Sequence, residues 1–255
     1  MKIASDELPN ISVVIPAFNE SCMLPACLST VTSQDYRGQI EVIVVNNASA
    51  DDTADIAKKF GAKVVYEPKP GVVYARIAGF NHASSGIIVS TDADTLVPRN
   101  WVSQIEFVLR DQKYSGVVGA YTLCNVNSLS KRFVKFLIPF FRTCDRLLGA
   151  HFVGANFAVR KEAYEKVGGF STKFTTGEDL DLSYRLRKQG FRLKVAFNIR
   201  VRTSARRLNE GFWHTFVNYI IRNWCSLVFL HHPFLQNITN VRETPSEIDE
   251  AVRHI

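Results

Sequence analysis

No run in this sequence reaches the roughly 20 consecutive apolar residues that a membrane-spanning helix requires. The N-terminus, Met1-Lys2-Ile3-Ala4-Ser5-Asp6-Glu7, lacks the apolar core of a secretory signal. The five cysteines (Cys22, Cys27, Cys124, Cys144, Cys225) are odd in number, scattered, and never form a C-x-x-C pair. That spacing argues against a disulfide framework and a structural zinc site, and it fits a reducing compartment. Together these absences predict a cytoplasmic protein, or one held peripherally on the cytoplasmic face of a membrane. A Walker loop and a G-x-G-x-x-G turn are also missing, which removes two common nucleotide-binding motifs. No internal repeat, low-complexity tract or Pro/Gly/Ser-rich linker divides the 255 residues, so one domain over residues 1–255 is expected.

What is present points to an α/β fold. Hydrophobic residues make up 46% of the chain, enough for a sizeable core and against disorder. Lys and Arg outnumber Asp and Glu by 31 to 24, and the net +7 favours an anionic partner: nucleotide, phospholipid surface or nucleic acid. Apolar runs at residues 11–15, 41–45, 63–66 and 86–90 predict strands, the first of them ended by Pro16. Helical spacing at 20–33 (Met23, Leu24, Cys27, Leu28, Val31), at 53–60 with Ser49 or Asp51 as cap, and at 73–83 alternates with them. This rhythm means βαβ units and a mostly parallel sheet, whose ligands bind beyond the carboxyl ends of the strands. Those ends are 16–20, 46–49 and 91–94. The second half is less regular. It predicts strands at 117–123, 152–159 and 192–201, helices at 161–167 and 179–189, and a basic aromatic segment at 128–148. A long helical stretch at 210–231 is followed by a polar tail.

Two acidic clusters carry candidate chemistry. Thr91-Asp92-Ala93-Asp94 closes an apolar strand with two carboxylates one residue apart. On extended chain, positions i and i+2 point the same way, so both can converge on one hard cation, Mg2+ or Mn2+, completed by water and phosphate oxygens. A solvated Asp-x-Asp turn or a helix cap has the same pattern. Phe174-Thr175-Thr176-Gly177-Glu178-Asp179-Leu180-Asp181 opens a helix. Its acids either compensate the helix dipole or direct one carboxylate into a cleft as general base for a hydroxyl nucleophile. Between Asp181 and Glu210 there is no acid but there are nine bases. Arg206-Arg207, after an extended run, offers forked donors that match a departing diphosphate. The stretch at 211–235 carries Trp213, Phe216, Tyr219, Trp224 and Phe229, fitting core packing, a homodimer seam or an interfacial membrane helix.

Taken in order, these pieces resemble glycosyltransferase family 2, the inverting enzymes of GT-A fold. The residues that carry the resemblance are Val13-Val14-Ile15-Pro16-Ala17-Phe18-Asn19-Glu20, then Val45-Asn46-Asn47-Ala48-Ser49-Ala50-Asp51-Asp52-Thr53. Gly71, Ala75-Arg76 and Thr91-Asp92-Ala93-Asp94 follow, and then Gly154-Ala155-Asn156 and Gly168-Gly169-Phe170. Gly177-Glu178-Asp179-Leu180-Asp181-Leu182, with Arg185 and Gly190, completes the set. Each motif is weak alone, and their ordered conjunction is specific. The resemblance implies a Rossmann-like, mostly parallel sheet flanked by helices, an irregular acceptor-side half and a C-terminal helix. It divides the domain into a nucleotide-sugar half (11–123), an acceptor and catalytic half (124–208) and a tail (209–255).

The resemblance also implies roles. Pro16, Ala17, Phe18 and Glu20 hold the nucleoside, with Glu20 on the ribose. Asn47 falls where the family has an Asp that meets the base ring. Arg76 approaches the ribose or diphosphate, Asp92, Ala93 and Asp94 hold the metal–diphosphate, and Asp179 is the base. Gly154, Asn156 and Glu178 lie on the acceptor side, and Arg206 and Arg207 clamp the diphosphate. Ile77 stands where an Asn often follows the Arg. Ser204-Ala205-Arg206-Arg207 replaces a His that many relatives use as an extra metal ligand. The tryptophan motif of processive synthases is absent, which predicts single transfer. The expected partners are a nucleotide-sugar donor and a glycan, lipid-linked or small-molecule acceptor in glycan or cell-envelope synthesis, without nucleic acid. An inactive nucleotide-sugar-binding scaffold and a basic nucleic-acid-binding protein are the alternatives.

Overall fold

The computed structural model describes residues 8–126, 150–174 and 177–206. Arg207, the basic aromatic segment, the expected helix at 210–231 and the tail lie outside the described residues. The described chain runs β1 (Ile11–Ala17), α1 (Leu24–Thr32), β2 (Ile40–Asn46), α2 (Thr53–Lys59), β3 (Lys63–Tyr66), α3 (Val72–His82) and β4 (Ile87–Ser90). It continues with β5 (Thr95–Leu96), α4 (Trp101–Leu109), β6 (Tyr114–Cys124), β7 (Phe157–Arg160), α5 (Lys161–Lys166), α6 (Glu178–Lys188) and β8 (Arg192–Ser204).

All eight strands join one sheet in the order β3-β2-β1-β4-β7-β6-β8-β5. The half from β3 to β4 is parallel; β7 is antiparallel to both β4 and β6, β8 is parallel to β6, and β5 is antiparallel to β8. Two apolar layers sandwich this sheet. On one face Leu24, Cys27, Leu28 and Val31 of α1 pack with Trp101, Val102, Ile105 and Leu109 of α4. On the other, Val73, Ala75 and Phe80 of α3 pack with Leu182 and Leu186 of α6. Aromatic rings fill the second layer, with Phe152 stacked on Phe157 at 4.5 Å and Phe80 edge-on to Phe170 at 4.9 Å.

Three local expectations are corrected, and one helix is added. Pro16 lies inside β1, opposite Val45, and does not end it. The pairing of β1 with β4 covers only Ile11 to Val14, so the missing Pro16 N–H faces no strand on that side. The strand expected over 152–159 is confined to Phe157–Arg160, because 152–156 forms the loop that carries Gly154. Helix α1 begins at Leu24, beside Pro25, after a turn over 21–23. Helix α4 has the apolar spacing of a buried helix, with Trp101, Val102, Ile105 and Leu109 all below the surface, and was not anticipated.

Candidate active site

Strand order reverses between β1 and β4, so their carboxyl ends open a crevice at the edge of the sheet. Backbone and short polar side chains fasten two strand ends there. Asn19 N–H donates to Ser49 Oγ (3.0 Å), Glu20 N–H to Thr53 Oγ1 (2.9 Å) and Ser21 N–H to Asp51 Oδ2 (3.0 Å). Ala50 N–H returns a bond to Asn19 Oδ1 (2.9 Å), and Asn47 N–H reaches Ala17 O (2.9 Å). Of the two candidate caps, Asp51 meets the start of α2, accepting from Thr53 N–H at 3.1 Å. The run Ser49-x-Asp51-x-Thr53 thus splints the loop that carries Phe18 and Glu20, a role its spacing alone did not reveal.

Asn47 is almost fully buried, and its amide holds the loop before α3. Nδ2 donates to Glu67 O (2.9 Å) and Lys69 O (2.7 Å), and Oδ1 accepts from Gly71 N–H (2.9 Å). Both amide ends are thus engaged by the chain itself, and Asn47 braces this loop. In this geometry a carboxylate would set one negative oxygen against two carbonyls. Asn47→Asp is therefore expected to lower stability by roughly 3 kcal/mol, read as a depressed Tm on thermal unfolding. An unchanged Tm would mean that the amide clamps nothing.

Arg76, only 4% exposed, projects from α3 between the turn after β4 and the start of α6. Its Nη2 lies 3.0 Å from Asp92 Oδ1, and its Nη1 contacts the buried carboxylate of Glu178. Gly154 packs on this guanidinium so closely that a Cβ would fall upon it, which explains a glycine there. The freed backbone N–H of Gly154 donates to Asp179 Oδ2 (2.7 Å), while Leu180 N–H donates to Asp179 Oδ1 (2.8 Å). Burial pushes Asp179 above the ordinary carboxylate range, and Arg76 pulls the other way. Burial likewise raises Glu178 to about 7, opposed by Arg76 and assisted by the neighbouring Asp179 charge. Asp181, the third acid of this cluster, belongs to the helix scaffold, held by Arg185 Nε at 2.8 Å.

Asp92, Ala93 and Asp94 leave β4 as a tight turn closed by Thr95 N–H to Asp92 O (3.1 Å), not as the extended chain expected from their spacing. Both carboxylates remain partly exposed, and Thr203 Oγ1 of β8 donates to Asp94 Oδ1 (3.2 Å). Beneath the turn, the buried thiol of Cys27 approaches Asp92 O at 3.5 Å, and burial pushes its pKa to about 12, so it stays protonated. Among the described residues no three His, Cys, Asp or Glu side chains converge on a metal position. Two hard carboxylates in a solvent-open turn nevertheless fit Mg2+ or Mn2+, which takes its other ligands from water and phosphate oxygens.

The structure brings Glu20, Arg76, Asp92, Glu178 and Asp179 to one crevice, and it adds Arg206, whose Nη2 lies 2.6 Å from Glu20 Oε1. It withdraws the side chain of Asn156 from that group. Asn156 is buried, with Nδ2 donating to Ala120 O (2.8 Å) and Ile199 O (3.0 Å) and Oδ1 accepting from Trp101 Nε1 (2.8 Å). It anchors the loop behind Gly154, with both amide ends engaged by the chain itself. Thr91 Oγ1 ties the same loop to β4 through Ala155 O at 2.9 Å. Thr91, Trp101 and Thr203 carried no sequence signal for these roles.

With this geometry in place, comparison with known proteins is decisive: residues 12–168 match the model of glycosyl transferase family 2. The chain belongs to glycosyl transferase family 2. Residues 143–207 also match a model described as the N-terminal domain of galactosyltransferase. A probable glycosyltransferase, YdaM, of Bacillus subtilis is 30% identical over 206 residues, covering 74% of this chain and 49% of its own. Glycosyltransferase AglE of Haloferax volcanii is 28% identical over 202 residues, covering 75% and 66%. The family 2 chain thus spans about half to two thirds of these relatives' length. A mannosyltransferase from Pyrobaculum calidifontis, solved with GDP-Man and Mn2+, superposes with a TM-score of 0.68 at 22% identity over 88% of this chain and 67% of its own. Glucosyl-3-phosphoglycerate synthase from Mycobacterium tuberculosis, solved with Mn2+, UDP and glucosyl-3-phosphoglycerate, gives 0.61 at 20% identity over 87% and 81%. These likenesses show the GT-A fold.

Proposed function

We propose that this family 2 protein transfers one sugar, with inversion, from a nucleoside diphosphate sugar such as a UDP- or GDP-sugar to a hydroxyl or lipid-phosphate acceptor. The observation that carries the reading is the meeting of Asp92, Arg76 and Asp179 at one sheet edge, from three elements far apart in sequence. A base on one side and a charge-stabilised diphosphate on the other are what in-line displacement at an anomeric carbon requires. Both roles fall within one domain, residues 11–123 serving the donor and 124–208 the acceptor.

In this mechanism Pro16, Ala17, Phe18 and Glu20 receive the nucleoside on the splinted β1 loop, and Asn47 holds the facing loop in place. Asp92 and Asp94 would hold Mg2+ or Mn2+, which supplies positive charge to the departing diphosphate. Ala93 sets the turn between them. Arg76 stands beside Asp92, where it faces diphosphate oxygens, and Arg206 exchanges Glu20 for the same anion when donor enters; Arg207 continues that basic run. Asp179 takes the proton of the acceptor. Its two backbone donors fix the carboxylate, and its raised proton affinity strengthens it as a base. Glu178 and Gly154 frame the acceptor side of that carboxylate. The GDP-Man, UDP and Mn2+ seen with neighbours of the same fold support the donor and metal assignments.

The test is calorimetry of UDP and GDP on the full chain with Mn2+, with Mg2+ and with chelator. At least one nucleotide is expected to bind about tenfold or more tightly with metal, and Asp94→Ala should erase that difference. Equal affinity in chelator would remove the metal from the mechanism.

A further inference from the structure

We infer that Arg200 and Arg202 form an anion subsite for a phosphate group on the acceptor. The inference rests on the transferase reading above and names the class of acceptor it would take. Strands β6 and β8 run parallel to each other, and two antiparallel steps through β7 make them parallel to β4 and β1. Residues 120–124 and 200–204 therefore stand at the same edge of the sheet as Glu20 and Asp92.

A register shift between Gly119 and Ala120 determines which face these arginines occupy. Before it, Leu193 and Val195 pack on the layer that holds α3 and α6. After it, Ile199 and Val201 pack into the opposite layer with α1 and α4. Alternation then puts Arg200 and Arg202 on the α3 and α6 side, the side from which Arg76, Glu178 and Asp179 enter the crevice. Thr203, between them and the crevice turn, points the other way and donates to Asp94. The metal-binding turn thus lies against one face of β8, and the arginine pair rises from the other.

Both guanidiniums are exposed, and their partners in register on β6 are small: Ala120 beside Arg200 and Thr122 beside Arg202. Arg202 Nε donates to Cys124 Sγ at 3.3 Å, which leaves its forked end directed elsewhere. Among the described residues neither arginine pairs with a carboxylate, whereas Arg76, Arg110, Arg185 and Arg206 all do. Asp181 and Glu210 bound a run without any acid that includes both. With Cα atoms about 7 Å apart along the strand, the two long arginine side chains can converge their forks on the oxygens of one phosphate group. A hydroxyl acceptor anchored there by its phosphate would extend toward Asp179 on the same face.

The phosphate could belong to a soluble phosphorylated acceptor or to a lipid headgroup, so two probes are used on the full chain. One is glycerol 3-phosphate, followed by calorimetry; the other is phosphatidylcholine vesicles with and without phosphatidic acid, followed by flotation. At least one should bind, and Arg200→Ala with Arg202→Ala should weaken it about tenfold or more. Arg200→Lys with Arg202→Lys, which retains charge without forks, should lose an intermediate amount. Arg192→Ala with Lys194→Ala removes equal charge from the strand before the register shift and should change little. Binding of neither probe overturns the subsite, as does equal loss in both alanine pairs. Duplex DNA held more tightly than either probe through the same arginines also overturns it. UDP and GDP binding with Mn2+, measured on the same samples, separates the two readings. If phosphate binds at the arginines while neither nucleotide binds the wild-type chain, the transferase reading fails and the subsite stands.

Discussion

Asp179→Asn is expected to lower turnover by about 10²–10⁴ while donor binding persists, the loss typical of removing a general base. The carboxylate is held on both oxygens by backbone N–H groups, from Gly154 at 2.7 Å and Leu180 at 2.8 Å, so its direction does not depend on a mobile side chain. An amide preserves shape and one acceptor but cannot take the proton. Its NH2 must also face one of those two N–H donors, a mismatch worth about 1–3 kcal/mol of stability. Single-turnover rates with saturating donor measure the first effect, and calorimetry with UDP or GDP and Mn2+ checks that the crevice survives. Wild-type turnover in the variant would move the base to another acid of the cluster, Glu178 or Asp181, each of which is paired with an arginine.

Arg76→Met should destabilise the fold by about 3–5 kcal/mol, the cost of leaving a buried partner charge uncompensated. The side chains of Arg76 and Glu178 are 5% and 3% exposed, so water cannot take the place of the lost guanidinium. The damage has a defined pH dependence. Burial already lifts Glu178 to about 7, and without Arg76 it rises further. A carboxyl whose folded pKa exceeds its unfolded value binds more protons in the native state through the interval between them. Stability of the variant therefore falls as pH rises from about 4.5 past 7, and it recovers on acidification. Glu178→Gln in the same chain removes the charge and should restore much of the loss. Denaturant unfolding of the two single variants and the double variant measures the coupling. A single-variant cost below about 1 kcal/mol would show that the pair is solvated and that the crevice is not organised by it.

The sequence by itself determined the first seven elements, β1 to β4 with the three helices between them, because their signals are local. Apolar runs such as 41–45 and 63–66 and the helical spacing around Leu24, Cys27 and Leu28 survive into the fold nearly unchanged. The same holds for the acids at 92, 94, 178 and 179, which stand at a strand end and a helix start where their type is informative. Pro16 shows the limit of such reasoning: whether a proline ends a strand depends on how far its neighbour β4 extends, and that length is a property of the pairing.

The tertiary structure alone decided which of these polar residues meet. Asn47 and Asn156 look alike as candidate ligands along the chain, and burial turns both into internal braces, because an amide's donors and acceptor are saturated by carbonyls and N–H groups from other elements. Arg76 finds Glu178 across 102 positions, and Arg206 finds Glu20 across 186. Contacts at such separations follow from strand order and from the register shift in β8, and both are set by packing the whole sheet between its two apolar layers. Charge, spacing and periodicity name the groups available to the crevice; only the sheet order brings them within hydrogen-bonding distance.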